Sequence, residues 1–322
     1  MQNGPSLQQT PPLEDAAIEE LFALWESIFG PGAADIDRGV FGGAEEEFCR
    51  SVLFCEQAEG AVVGTCFTMH DRTLPLAGFG EVATSPDWRG RGIASRLCGA
   101  AVRDFQAHGG EAFFLGTGNP AAARIYHRLG WRKIVGNNVM VHIASGHSPE
   151  EYLVDYFRRP GDVSVVPATA AVRVRMIPLL VTPHDWKVLD ANVGSRSCRY
   201  FNQVSCMGLY PRYVRGTADR GCFFAAVAED GRVVGLSSVA VDPDGVRRVD
   251  GFAHANFAAA LGDLVRAAGE WDGGSGPLEA TIAVEDEEKR DAFVGLGFAA
   301  RGAGKPFDFD GRKVQSWILR RD

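Results

Sequence analysis

Two short patterns each occur twice in this chain, at nearly the same separation. Glu59–Gly64 (EGAVVG) returns as Asp230–Gly235 (DGRVVG), and Tyr126–Trp131 (YHRLGW) returns as Phe293–Phe298 (FVGLGF). In both copies a helical pattern and a strand pattern lie between the two motifs. Two copies of one order of elements predict a tandem of like domains, and the 322 residues leave room for two domains of ordinary size.

A glycine-rich loop follows a predicted strand in the first copy. The strand Ala77–Thr84 ends in a turn, and Arg89–Ala94 (RGRGIA) then leads into a helical pattern. Glycines let the backbone approach a ligand closely, and the free N–H groups at a helix start favour phosphate. Arg89 and Arg91 add positive charge at the same place. The sequence therefore predicts a pyrophosphate site here.

Other interpretations of this loop are less consistent with the spacing. A dinucleotide-binding G-x-G-x-x-G loop begins directly at the strand end, whereas five residues separate Thr84 from Gly90. A Walker A loop requires Gly-Lys-Ser/Thr, which does not occur in the chain. An ordinary strand-to-helix turn without a ligand stays open on this loop alone.

A second block, Phe113–Trp131, lies downstream of the loop and contains Asn119, an alanine-rich helix, Tyr126 and a Leu-Gly-Trp end. Together with Val82–Leu97, this block resembles the cofactor site of the GNAT superfamily of N-acetyltransferases. The resemblance implies an α/β (α+β) chain of two tandem GNAT acyl-CoA N-acyltransferase folds. Each fold would be a mixed, mostly antiparallel sheet flanked by helices.

The same resemblance implies a division of the chain into three parts. Residues 1–145 would form the catalytic domain with the acetyl-CoA site, residues 146–170 a helix and an extended linker, and residues 171–322 a degenerate GNAT-like domain. Residues 186–213, rich in large apolar groups, suit either a pocket wall or the core of the second domain.

The second copy lacks the residues that the resemblance assigns to the cofactor. Aligned through the following helix, Ala253–Ala258 stands opposite the loop Arg89–Ala94, so both arginines and both glycines are missing. Asp286 stands opposite Asn119, and Phe293 stands opposite Tyr126. We therefore expect the second domain not to turn over acetyl-CoA.

The implied function is acetyl-CoA-dependent N-acetyltransfer to a small-molecule primary amine. By resemblance, Tyr126 is the general acid in a direct transfer, and the main-chain N–H of Val82 bonds the thioester carbonyl. An O-acetyl or longer-acyl transferase, and an acetyl-CoA-binding module without turnover, are the alternatives. The residues assigned to the cofactor are Val82, Ala83, Thr84, Arg89, Gly90, Arg91, Gly92, Ile93, Ala94, Ser95, Asn119 and Tyr126.

The general base has several candidates. Glu81 directly precedes the cofactor strand end and is the nearest carboxylate in sequence. His70 and Asp71, at the end of another predicted strand, and a chain of waters are alternatives. For the acceptor pocket the family points to residues 22–50 and 136–143. Their candidate residues are Trp25, Phe29, Phe41, Phe48 and Asn138.

Composition limits the remaining possibilities. The net charge is −8 without a basic stripe, which argues against nucleic acid, and no apolar run is long enough to span a membrane. Residues 1–160 carry 20 acidic and 13 basic side chains, a balance compatible with a cationic amine substrate. Histidines and cysteines show no metal-binding spacing, so we expect no metal. Buried thiols and the absence of a signal peptide predict a cytoplasmic protein, monomeric or homodimeric.

Overall fold

A computed structural model describes the chain, and its described residues are 6–134, 137–218, 220–271 and 276–322. The chain divides into two compact units, each discontinuous in sequence. Unit 1 comprises residues 1–152 and 203–208, and unit 2 comprises residues 153–202 and 209–322. The limits drawn from the sequence for the catalytic and degenerate domains stay predictions.

Unit 1 begins with a short strand followed by two helices, and it ends with alternating strands and helices. Its helices are α1 (Asp15–Phe29), α2 (Arg38–Phe41), α3 (Ile93–Ala107), α4 (Pro120–Arg128) and the start of α5 (Pro149–Arg158). Its strands are β1 (Ser6–Gln9), β2 (Cys49–Ala58), β3 (Ala61–Asp71), β4 (Leu76–Thr84), β5 (Ala112–Gly116), β6 (Arg132–Lys133) and β7 (Val139–Ile143).

The strands of unit 1 form one mixed sheet with a gap in its middle. Within the described residues the strand order is β1-β2-β3-β4-β5-β7-β6. β4 and β5 pair in parallel from Leu76↔Ala112 to Phe79↔Leu115, while the other neighbours pair antiparallel. β4 continues to Thr84 beyond its last pair with β5. The two strands therefore separate at one end, and the cleft of unit 1 opens there.

The helices of unit 1 pack where their apolar spacing predicts. On α1 the side chains of Ile18, Leu21, Phe22 and Trp25 are buried at intervals of three and four residues. On α3, Leu97, Ala101 and Phe105 are buried against the sheet. Each large apolar side chain removed from water contributes about 1.5–3 kcal/mol. This packing fixes α3, and with it the loop that precedes it, against the sheet.

Unit 2 has its own sheet and helices. Its helices, besides the remainder of α5, are α6 (Met176–Val181), α7 (Leu209–Thr217), α8 (Ala260–Glu270) and α9 (Glu287–Gly295). Its strands are β8 (Val163–Pro167), β9 (Val188–Asp190), β10 (Ser195–Arg196), β11 (Gly221–Ala228), β12 (Val233–Val241), β13 (Arg247–Ala253), β14 (Leu278–Ala283), β15 (Ala299–Phe309) and β16 (Arg312–Arg321).

The sheet of unit 2 repeats the topology of the sheet of unit 1. Among the described residues its order is β8-β11-β12-β13-β14-β16-β15, and β13 and β14 form a parallel pair in its middle. Both units are therefore α+β folds with a mixed, mostly antiparallel sheet flanked by helices. The predicted fold class and the tandem repeat are confirmed.

The sequence pattern also predicts a helix near residues 44–51 and one strand over residues 132–143, and these two predictions, like the extended linker, were wrong. Residues 163–167, assigned to the extended linker, form β8 and pair with β11. The helix predicted near residues 44–51 is a series of turns followed by β2, and the nearby helix is α2 instead. The strand predicted over residues 132–143 is interrupted between β6 and β7, with residues 135–136 outside the described part.

The start of α5 is as the sequence predicts. The backbone N–H of Glu151 donates to Ser148 Oγ at 3.2 Å, and the backbone N–H of Ser148 donates to Glu151 Oε2 at 2.9 Å. Across the described residues, no helix combines the length and the apolar character needed to cross a membrane.

Candidate functional site

The glycine-rich loop between β4 and α3 has the conformation of an anion-binding turn. Gly90 and Gly92 both have φ of +76°, a backbone conformation that favours glycine. The first N–H of α3 with a helical partner is that of Arg96, which donates to Gly92 O at 3.0 Å. The N–H groups of residues 93–95 thus form the open start of a fifteen-residue helix.

A cavity of about 630 Å³ lies along this loop. Its walls come from β4, the loop, the first turn of α3 and one face of α4. The predicted cofactor residues among its lining are Val82, Thr84, Arg89, Gly90, Gly92, Ile93, Ala94, Ser95, Asn119 and Tyr126.

Two of the predicted cofactor residues have other surroundings. Ala83 is buried in the core at 1% exposure, because successive side chains of a strand alternate between its faces. Arg91 lies over the ring of Trp88 at 4.3 Å and donates to Asp87 O at 3.1 Å. Since Arg91 is exposed, its guanidinium still contributes positive potential beside the loop.

Glu81 occupies a β-bulge in β4. Thr65 pairs with Ala83 and Phe67 pairs with Gly80, so one residue of β3 faces two residues of β4. Glu81 has φ of +49°, which few residues other than glycine adopt. Thr65 Oγ1 donates to Glu81 O at 2.8 Å and accepts from Trp25 Nε1 at 2.9 Å. These buried bonds hold the bulge in place.

The side chain of Glu81 is buried, and its pKa is raised. Burial raises the pKa from 4.5 to about 7, and the Asp35 carboxylate adds to the rise through like-charge repulsion. A hydrogen bond from the backbone N–H of Asp35 to Glu81 Oε1, at 3.0 Å, acts in the opposite direction. A carboxyl group with such a pKa exchanges its proton near neutral pH.

Tyr126 lies on α4 at 5% exposure and lines the large cavity. Its ring packs against Phe79 and Trp131, with centroids 5.8 and 6.0 Å away. Burial raises the pKa of its hydroxyl well above the usual range, and Cys98 and Cys66 add to this. Tyr126 is therefore protonated at neutral pH, as a proton donor must be.

Asn119 is the N-cap of α4. Its Oδ1 accepts the N–H of Ala121 at 2.9 Å, and Pro120 is the first helical residue. This capping role is structural and needs no ligand. Asn119 also lines the cavity, so the cap and a contact to a bound ligand are compatible.

A second, smaller cavity of about 210 Å³ adjoins the first. Tyr126, Asn119, Val82, Ala122 and Phe29 line both. The second cavity is also lined by Glu81 and Asp35 and by two residues distant in sequence, Ser205 and Met207. The cleft between β4 and β5 and the bulge in β4 thus bring the candidate acid, Tyr126, and the candidate base, Glu81, to one cavity.

Sequence reasoning missed Asp35, Ser205 and Met207 as pocket residues. The range 186–213 was noted as a pocket wall or a second core, and its residues 203–208 do belong to unit 1. No local motif distinguishes these six residues. The available signals were the glycines Gly80 and Gly116, whose lack of a side chain admits a close neighbour.

His70 and Asp71, the other candidate bases, line a different cavity of about 220 Å³. His70 Nε2 lies 3.0 Å from Thr68 Oγ1, and burial lowers the pKa of His70 to about 4. Asp71 Oδ1 accepts the backbone N–H groups of Thr73 and Leu74. Neither residue lines the cavities of Tyr126, so the geometry favours Glu81.

The predicted aromatic pocket is mostly core. Trp25 is 1% and Phe41 0% exposed, and both pack in an aromatic cluster with Phe67. Phe29 lines both cavities. Asn138 accepts from Lys133 Nζ at 2.9 Å. Of the predicted acceptor residues, Phe29 is therefore the one that the cavities support.

The loop equivalent in unit 2 is shorter, which corrects the sequence alignment. Gly64↔Thr84 and Gly235↔Ala253 are matching strand pairs, so Ala253 corresponds to Thr84 and not to Arg89. Between the 3-10 turn and the helix, unit 1 has four residues (89–92) and unit 2 has two (258–259). The glycine-rich loop is therefore shortened, and not merely substituted, in the second copy.

The cleft of unit 2 holds part of its own chain. Asp286 accepts the N–H groups of Lys187 and Val188 at 2.7 and 3.0 Å. Asp250 of β13 accepts the N–H of Ala191 at 2.7 Å. Lys289 Nζ donates to the carbonyls of residues 188 and 189 and pairs with Asp250 at 2.6 Å, both side chains being fully buried. Residues 187–191 thus lie between β13 and α9.

In the part of the chain that the structure describes, no group of three or more His, Cys, Asp or Glu side chains could hold a metal ion. Cys49, Cys55, Cys66 and Cys98 are buried free thiols, as the sequence predicts.

Comparison with known proteins identifies the family of the first unit. Residues 17–131 match the family model described as Acetyltransferase (GNAT) family. No curated protein sequence matches the chain.

Several solved structures are similar to part of the chain. An N-acetyltransferase from Staphylococcus aureus Mu50 has 11% identity over 50% of this chain and 98% of its own, with a TM-score of 0.40. A GNAT-family acetyltransferase from Streptococcus pneumoniae has 13% identity over 50% and 98%, with a TM-score of 0.38. Ribosomal-protein-S5-alanine acetyltransferase from Vibrio fischeri has 11% identity over 51% and 94%, with a TM-score of 0.38.

Proposed function

We propose that unit 1 transfers an acetyl group from acetyl-CoA to a small-molecule primary amine. Residues 17–131 match the GNAT acetyltransferase family model, which makes this chain an acyltransferase of the EC 2.3.1 type. One observation carries the proposal. The candidate acid Tyr126 and the candidate base Glu81 line one small cavity, and that cavity adjoins the larger one along the glycine-rich loop.

The residues of unit 1 fit an acyl-CoA. Gly90 and Gly92 lie in the left-handed region, and the N–H groups of residues 93–95 open toward the loop, where they can bond a pyrophosphate. Arg89 lines the same cavity, with its Nε donating to Thr84 O at 3.1 Å. The cavity is predominantly apolar beyond the loop, which suits the arm of the cofactor. When bound, acyl-CoA supplies an activated acyl group and a thiolate leaving group.

Each candidate side chain has one task in direct transfer. Glu81 takes the proton of the acceptor ammonium, directly or through water, because its pKa of about 7 lies close to the working pH. The N–H of Val82, next to the bulge, stabilises negative charge on the acyl oxygen. Tyr126 donates its hydroxyl proton to the departing sulfur, and Asn119 orients the start of α4 beneath it.

Retention of a buried tyrosine beside the cavity favours an enzyme over a binding module, since a module without turnover needs no proton donor. The proposal also takes the amine over a hydroxyl acceptor. The ionisable carboxyl groups of the small cavity, Glu81 and Asp35, attract the charged ammonium form of an amine, whereas a hydroxyl group carries no charge that they would attract.

Release of free thiol from acetyl-CoA in the presence of a panel of amines and alcohols tests the proposal. Acetylated amine products, identified by mass, would support it. Thiol release with alcohols alone, or with longer acyl-CoA donors alone, would replace it by the corresponding alternative. Tight acetyl-CoA binding without thiol release for any acceptor would favour the binding module.

A further inference from the structure

The small cavity of unit 1 has an unusual wall, made by residues 203–208. Met207 is 3% exposed and lies against Gly80, where an added Cβ would come within 3.3 Å of Met207 Cγ. At Gly116, at the end of β5, an added Cβ would lie 2.4 Å from the carbonyl oxygen of Val204. The segment is therefore fitted closely to the ends of β4 and β5.

The same segment holds a carboxylate at the cavity. Ser205 Oγ donates to Asp35 Oδ2 and accepts the N–H of Gly208 at 3.0 Å. An added Cβ at Gly208 would lie 2.5 Å from Asp35 Oδ1, so only glycine leaves room for the carboxylate. The N–H of Asp35 in turn donates to Glu81. Both the backbone and the side chain of Asp35 are thus held by hydrogen bonds.

The charges around the cavity are of one sign. Glu81 and Asp35 are its ionisable carboxyl groups, and Lys, Arg and His are absent among the described residues that line it. The other polar lining groups are Thr117, Asn119, Tyr126 and Ser205. A ligand with an ammonium group is attracted to such a cavity, whereas a ligand carboxylate there would meet two like charges and no cation.

We propose that Asp35 is the residue that recognises the acceptor, held in place by Ser205, and that the acceptor is a compact amine without a carboxylate next to its reacting nitrogen. Asp35 binds the ammonium while Glu81 removes its proton. α-Amino acids are excluded by repulsion between their carboxylate and this pair. The inference deepens the proposed N-acyltransfer and depends on it.

The division of labour also explains the arrangement of the two carboxyl groups. A single carboxylate cannot both keep its charge to attract a cation and become protonated during the reaction. Asp35 and Glu81 can divide these two roles, and the backbone N–H of Asp35 links them through its hydrogen bond to Glu81 Oε1. Asp35 is half-buried and accepts a hydrogen bond from Ser205, whereas Glu81 is only 8% exposed.

Matched pairs of an α-amino acid and its decarboxylated amine provide the test: phenylalanine and phenethylamine, and arginine and agmatine. With acetyl-CoA as donor, we expect the amine of a pair to exceed the amino acid at least about a hundredfold in kcat/KM. Asp35→Asn should raise KM for the amine at least about tenfold and change kcat less than about threefold. Ser205→Ala should also raise KM for the amine, but by a smaller factor.

The matched control is Glu26→Gln, which removes an exposed carboxylate of α1 and should leave KM unchanged. Binding of the amines is also followed without turnover, by the rise of Tm that each compound causes in the wild type and in Asp35→Asn. If the amines raise the Tm of the wild type but not that of Asp35→Asn, Asp35 is supported as the binding residue. If no product forms in the same experiment, only the proposed acetyl transfer fails.

Amino acids accepted as well as their amines, or unchanged KM in Asp35→Asn, would overturn the inference while leaving N-acyltransfer intact. If no compound of any pair binds or reacts, the cavity does not select compact amines and the inference is wrong.

Discussion

The two units share one topology but treat the cleft between their central parallel strands in opposite ways. In unit 1 the cleft leads into cavities of about 630 and 210 Å³. In unit 2, residues 187–191 occupy the corresponding position between β13 and α9, held by Asp286, Asp250 and Lys289. The cleft is therefore open at this position in unit 1 and filled by the chain itself in unit 2, where a cavity of about 270 Å³ remains beside residues 183–186.

The strands that border the cleft also differ between the two units. β4 contains the bulge at Glu81, whereas β12 and β13 pair without a register shift. Counted from the strand end, Asp250 takes the place of Glu81 and pairs with Lys289 at 2.6 Å. A carboxyl group that faces a cavity in unit 1 thus has a fixed structural partner in unit 2. Such a buried pair is costly to break.

The largest expected effect is on cofactor binding in unit 1. Gly92→Asp introduces a side chain at φ of +76° and a negative charge beside the pyrophosphate site, so we expect acetyl-CoA binding to be lost. Isothermal titration of the full chain measures it. As a control, Ala255→Asp adds the same charge to the exposed turn of unit 2, and the tight acetyl-CoA site of unit 1 should be unaffected. Tight binding that persists in Gly92→Asp would place the cofactor elsewhere.

The next effect concerns the closed cleft of unit 2. Lys289→Met leaves Asp250 buried without its cation, which should lower the free energy of unfolding by about 3–5 kcal/mol. Denaturant unfolding measures the loss. Lys313→Met removes an exposed pair with Asp308 and should cost less than about 1 kcal/mol. Similar losses in both variants would mean that Lys289 does not hold the cleft closed.

Tyr126→Phe gives the third effect. It should lower kcat about ten- to a thousandfold with little change in acetyl-CoA affinity, because the hydroxyl acts mainly in the transition state. The equivalent residue in unit 2, Phe293, shows that the fold accepts phenylalanine at this position. The control is Tyr200→Phe at an exposed tyrosine. An unchanged rate, measured where chemistry limits turnover, would remove Tyr126 from the mechanism.

The smallest effect is the pH dependence of Glu81. Its folded pKa of about 7 exceeds the ordinary 4.5, so its protonated form stabilises the fold below pH 4.5 and that contribution is lost as the pH rises through 7. The shift corresponds to about 3 kcal/mol at pH 8. Glu81→Gln should therefore raise Tm by roughly 5 °C at pH 8 and by much less at pH 5.

Activity supplies the second measurement on Glu81. The wild-type kcat/KM should rise with pH through about 7, as the carboxyl group loses its proton, and Glu81→Gln should lose this limb. Glu26→Gln, at an exposed carboxylate, should change neither the Tm difference nor the pH profile. A Glu81→Gln profile that keeps the same limb would assign the base to another group.

The sequence predicted what depends on local pattern. The repeat and the glycine-rich loop each follow from the spacing of a few neighbouring residues. The bulge at Glu81 did not, because a register shift arises from the pairing of two strands and leaves no mark on either strand alone. The shortened loop of unit 2 was read as substitution, since an alignment anchored on one helix conceals a two-residue gap.

The position of Ser205 was beyond sequence reasoning for a different reason. Its partner Asp35 lies 170 residues earlier in the chain. A contact at that separation depends on the completed fold, and serine and aspartate occur in too many loops to indicate a pair.

The discontinuity of unit 1 also has a consequence for how the protein is made. A ribosome that adds about 5–20 residues per second completes β7 several seconds before it reaches Ser205, and part of unit 2 is synthesised in between. The nascent amino-terminal unit therefore has its cofactor loop before it has the wall of its small cavity. Release of a fragment ending near residue 160 would yield a protein with the former and without the latter.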